Sequence, residues 1–156
     1  MANIVSILGI LVGAFGLFFG FYFLPSAAET AFDIVTITSV GVVGVLAFVR
    51  HVIFFRSDAA RLGWQTDRPD WIFEVGFANL AFGVMGLVAG IASCDTKLQA
   101  VVILGYALYL FQAAMLHFYR YLTNAQRSAT RLWRSVITTL LFVGMMSFFG
   151  VRAWLL

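Results

Sequence analysis

Five polar side chains interrupt long apolar runs of this 156-residue chain: His51, Glu74, Asn79, Gln112 and His117. An ionisable group inside lipid is costly, so a chain that keeps one has a use for it. Two imidazoles and a carboxylate at one depth make a donor set for a metal ion, with His51, Glu74 and His117 as ligands. The two histidines alone meet the minimum requirement for axial ligation of a haem b. A third chemistry needs no metal. The same groups, with Asn79 and the nearby Trp64, offer hydrogen bonds to the polar head of an amphipathic ligand. The bland alternatives are ion pairing of Glu74 with Arg50, Arg56 or Arg120, and hydrogen bonding of each histidine to the backbone or to a neighbouring Tyr or Gln.

The elements that carry these residues follow from composition. Hydrophobic residues make up 62% of the chain and charged residues only 11%, with a mean hydropathy of +0.97. Soluble domains are about half apolar and a quarter charged, so this chain is built for lipid. Five runs reach spanning length, about 20 residues for a ~30 Å core: Ile4–Leu24, Ile34–Phe55, Trp71–Ser93, Leu98–Leu122 and Val136–Leu155. Only helices and closed barrels satisfy the backbone in lipid, and uninterrupted runs select helices. The expectation is an all-α bundle of five transmembrane helices in one domain over residues 1–156. The first run has no basic residue before it and exceeds a signal-peptide apolar core, so it reads as a retained helix.

Eight arginines, Arg50, Arg56, Arg61, Arg68, Arg120, Arg127, Arg131 and Arg134, flank or fill the second-to-third and fourth-to-fifth connections, against Lys97 and Arg152 on the other side. That asymmetry puts the arginine-rich side and the N-terminus in the cytoplasm and the C-terminus outside. The net charge of +3 is therefore topological, with no nucleic-acid partner implied. His51 and His117 lie about one turn before their cytoplasmic helix ends, and Glu74 about one turn after its start, so all three share a slab in the cytoplasmic leaflet.

Glycines mark the helix contacts. Gly9, Gly13, Gly16 and Gly20 form one stripe, and Gly76, Asn79, Gly83, Gly86 and Gly90 another, both at the three-and-four spacing of one helical face. Glu74 points roughly opposite the second stripe, so reaching the histidines requires that helix to be central. The lone Cys94 permits no internal disulfide. Phosphate-loop, nucleophile-elbow and zincin motifs are all absent from the sequence.

The middle half of the chain resembles an uncharacterised family of small prokaryotic multi-span membrane proteins, a domain of unknown function. The residues that carry the likeness are His51, Phe54, Phe55, Ala59, Gly63 and Trp64, then Glu74-Val75-Gly76-Phe77-Ala78-Asn79-Leu80 and Gly83. His117 matches a later membrane histidine of that family. The chain departs from the pattern between Gln65 and Ile72. The glutamate in a glycine-rich helix is also distantly similar to DoxX-like membrane proteins. The resemblance implies the fold and a location in a prokaryotic inner membrane, and no activity. Two functions stay open: a polar site for a metal, haem or amphipathic ligand in the cytoplasmic leaflet, or an accessory subunit whose glycine and aromatic faces serve a homo-oligomer or a larger membrane complex.

Overall fold

In a computed structural model the chain is a bundle of helices, with no strand among the described residues. The structure describes residues 1–63, 67–92, 95–123 and 128–156, and of Arg131 the backbone alone. Five helices are long and apolar enough to cross a membrane: α1 (Ala2–Phe23), α2 (Ala28–Ile53), α4 (Asp70–Ile91), α5 (Thr96–Thr123) and α6 (Trp133–Trp154), the last entered through a turn at Ala129–Leu132. All five expected spans are present. The protein is a multi-pass membrane protein.

Two boundaries differ from the sequence expectation, each for a local reason. Helix α2 begins at Ala28, well before Ile34, because the turn at Pro25-Ser26 ends once Ala27 becomes extended. Glu29 and Asp33 are thereby helical. At its other end the stretch Arg56–Asp70, read as a loop, contains a sixth helix, α3 (Phe55–Leu62). Phe54 leaves helical geometry (φ −107°, ψ 29°) and re-aims the chain, and α3 closes on Gly63 in the left-handed region (φ 70°) that glycine adopts without a Cβ clash.

Helix α2 widens twice into π-helical turns, at Thr36–Val42 and Val49–Ile53. Such turns leave backbone groups out of the α ladder and often sit at functional positions. The second carries Arg50 and His51.

Packing follows the glycines. A Cβ on Gly44 would lie 2.7 Å from Asn79 O and 2.8 Å from Gly83 Cα, so α2 and α4 touch backbone to backbone. Gly13 receives Phe142 of α6, and Gly20 receives Val35 and Phe149. Between these contacts Phe32, Val35, Ile103, Tyr106, Met146 and Phe149 are fully buried. At the end remote from the arginines, Gln99 of α5 donates from Nε2 to Asp33 Oδ1 (2.6 Å) and Ala89 O (3.3 Å), tying α5 to α2 and α4.

Candidate functional site

The charged residue that centres the site is Asp58, on α3. Its side chain is only 1% exposed and faces cations from two elements. Arg61, one turn along the same helix, donates from Nη2 (2.7 Å) and Nε (3.0 Å) to Asp58 Oδ1, a bidentate grip on one oxygen. Arg50 Nε from the π turn of α2 stands 3.6 Å from the same oxygen. His51 Nδ1 lies 2.8 Å from Asp58 Oδ2, and Arg50 Nη2 is 2.9 Å from His51 Nε2.

These contacts set the protonation of His51. A guanidinium can only donate, so Nε2 accepts from Arg50 and carries no proton. The proton of the neutral ring therefore sits on Nδ1, toward the carboxylate. That short contact is poorly aligned, since Asp58 Oδ2 and Arg50 Nε are buried with no hydrogen-bond partner among the described residues. Burial alone would push the Asp58 carboxyl up, but His51, Arg50 and Arg61 together outweigh it and hold the group at about 2.

A second polar group lies deeper. Asn79 Nδ2 donates to Val75 O (2.8 Å) and Tyr109 Oη (2.9 Å), while Tyr106 Oη donates to Asn79 Oδ1 (3.0 Å). Every polar atom of Asn79 is satisfied by this clasp between α4 and α5. The ring of Phe82 packs against both tyrosines, at 5.3 and 5.6 Å between centroids.

Both groups line one cavity of about 570 Å³, within the range of small-molecule sites. Its wall runs along α1 from Val5 to Leu17, along α5 from Tyr106 to His117, and along α6 from Arg134 to Met145. At 1.5 Å per residue each stretch is ~17 Å, close to the ~15 Å thickness of one leaflet's hydrocarbon. The deep end is walled by Ala14, Leu17, Leu110, Phe142 and Met145; the other end holds Arg50, His51, Asp58, Arg61 and Arg134.

The residues expected from sequence fall in different places. His51, Asn79, Gln112 and His117 all line the cavity. Glu74 does not: it is exposed on α4, opposite the buried Gly76, Gly83 and Gly86, as the helical step requires. The expected triad of His51, Glu74 and His117 is thus not assembled. Among the described residues no group of three His, Cys, Asp or Glu side chains is arranged to hold a metal ion. Axial ligation of haem fits poorly too, because both ring nitrogens of His51 face Asp58 and Arg50. Trp64 lies outside the described residues.

The carboxylate partner of His51 is Asp58, which the sequence reading passed over as part of a polar loop. A signal for it existed: Asp58 and Arg61 stand at i and i+3, and Asp58 follows His51 by seven residues, two helical turns.

The chain belongs to a family of unknown function (DUF6790), whose model matches residues 1–154. No curated protein and no solved structure matches it.

Proposed function

We propose that this protein binds an amphipathic small molecule taken sideways from the membrane, with the head at the arginine-rich end and the tail along α1, α5 and α6. In this reading that end faces the cytoplasm, as the eight-to-two distribution of cations favours. The observation that carries the proposal is the cavity itself. It is apolar for most of the depth of a leaflet and ends on a buried ionic network. A buried polar network under an apolar channel complements a molecule that is itself polar at one end and apolar along the rest.

The mouth is indicated by glycines. Gly13 is closed by Phe142, yet Gly9, one turn nearer the arginines, meets nothing within 4 Å. Gly9, Ile10 and Leu141 line the cavity, while Ile10 and Leu141 are 46% and 62% exposed. Residues that face both the cavity and the surroundings mark an opening between α1 and α6.

The test uses Gly9. A Cβ at Gly9 meets nothing within 4 Å, so Gly9→Leu attaches without a backbone clash and places a branched side chain in the mouth. Native mass spectrometry of detergent-purified wild-type protein should show a bound amphiphile that the variant lacks, with melting temperatures of the emptied proteins unchanged. Equal occupancy of the two, or no bound molecule in either after exposure to a membrane extract, overturns the proposal.

A further inference from the structure

The charge around the cavity carries the reading one step further, to the class of head group. Among the cavity-lining residues stand three guanidiniums, Arg50, Arg61 and Arg134, and one carboxylate, Asp58. His51 does not alter that balance, since its Nε2 accepts from Arg50 and leaves the ring neutral.

Orientation in the membrane does not account for Arg50 and Arg61. A topological arginine works from the surface, as Arg56, Arg68 and Arg120 do, all exposed; Arg134 is exposed as well and reaches the cavity from that surface. The side chains of Arg50 and Arg61 are instead only 24% and 16% exposed. Burying a guanidinium is costly unless it is paired, and here one carboxylate serves two of them. Asp58 Oδ1 takes both Arg61 contacts and the longer one from Arg50, while Arg61 Nη1 is engaged by no described residue. Arg134, at the foot of α6 beside the proposed mouth, makes no ion pair among the described residues. Ser135, Thr138 and Thr139 follow it along the cavity wall, the hydroxyls of Thr138 and Thr139 donating to Trp133 O (2.9 Å) and Ser135 O (3.2 Å) of their own helix. Excess positive charge at the end of an apolar channel is complementary to an anion.

Resting on the amphiphile reading above, we infer that the natural ligand carries an anionic head, a phosphate or carboxylate, which Arg61 and Arg134 hold. Asp58 then acts as a positioning residue: it fixes Arg61 and Arg50 at the cavity end and contributes no contact that an anion would seek. Arginine suits this role because its planar fork matches both oxyanions.

The experiment compares ligands of one tail length on emptied protein in a neutral detergent. The probes are an alkyl phosphate, a fatty acid, a monoacylglycerol, an alkylamine and inorganic phosphate without a tail, each read by thermal shift and native mass spectrometry. The two anionic amphiphiles should bind, the neutral and cationic ones at least tenfold more weakly, and free phosphate not at all within the same range. Arg134→Gln should weaken the anionic amphiphiles by roughly three- to tenfold, the scale of one charge-assisted contact near a surface. It should leave the melting temperature of the emptied protein unchanged, because Arg134 makes no ion pair among the described residues. Gly9→Leu should abolish binding of every tailed probe.

The outcomes separate the two claims. If the monoacylglycerol binds as well as the alkyl phosphate and Gly9→Leu blocks both, the anionic head is wrong and the amphiphile site stands. A ranking unaffected by Arg134→Gln likewise overturns the head-group assignment. Binding of free phosphate as strong as that of the alkyl phosphate would overturn the need for a tail. If no tailed probe binds, both claims fall.

Discussion

Asp58 shows how one buried side chain can organise a site. It receives a bidentate arginine, a second arginine and an imidazole whose tautomer Arg50 sets. Asp58→Asn keeps the shape and removes the charge, leaving two guanidiniums buried without a counter-ion. Breaking a buried pair from one side costs ~3–5 kcal/mol, so the variant should melt well below wild type in detergent. His51→Ala should cost less, since no charge is stranded. The carboxylate also makes stability depend on acid. Its pKa falls from 3.8 to about 2 in the fold, so its stabilisation, roughly 2 kcal/mol by the size of that shift, is complete above about pH 4. It is lost as pH drops through about 2. A melting series from pH 5 to pH 2 should show this loss in wild type and a flatter profile in Asp58→Asn.

Between α2 and α4 the glycines act as a contact surface, where backbone meets backbone at Gly44 and Gly83. Added to Gly44, a methyl group would approach three backbone atoms of α4 within 2.8 Å. Backbone cannot rotate away as a side chain can, so Gly44→Ala should force the helices apart and destabilise by ~1–3 kcal/mol. Gly144→Ala on α6, where nothing lies within 4 Å, is the matched control and should be neutral. Thermal melting of both variants in one detergent decides it; equal melting points would mean that the α2–α4 approach is not a tight interface. The π turn at Val49–Ile53 is the element-scale feature that serves the site, because the break at Phe54 lets α3 turn Asp58 back toward His51.

At the scale of the whole molecule, one end of the bundle gathers the start of α1, the end of α2, α3, and the connections into α4 and α6. The backbone N of Ala2 lies 3.4 Å from Ser57 Oγ, which fixes α1 beside α3 at that end. Ser57 and Ser128 therefore lie on one side of the membrane. Cysteines introduced at either position in a Cys94→Ala background should react with a membrane-impermeant maleimide only after the cells are opened. Labelling of intact cells would reverse the proposed orientation.

The sequence by itself determined the class of the protein and the faces of its helices. Composition demanded lipid, run length set five spans, and the three-and-four spacing of glycines marked faces that the structure buries at every position but Gly9. It also placed Glu74 opposite such a face, where the fold leaves it exposed. These features are local: they follow from the cost of burying polar groups and from the 100° step of a helix. Only the tertiary structure decided which charges meet. His51 and Asp58 are brought together by a helix break at Phe54 and a short helix in a stretch too polar to read as a span. The cavity, too, depends on how far α1 and α6 diverge below Gly13 and Phe142. Such a gap arises between helices, and no periodicity within one helix records it.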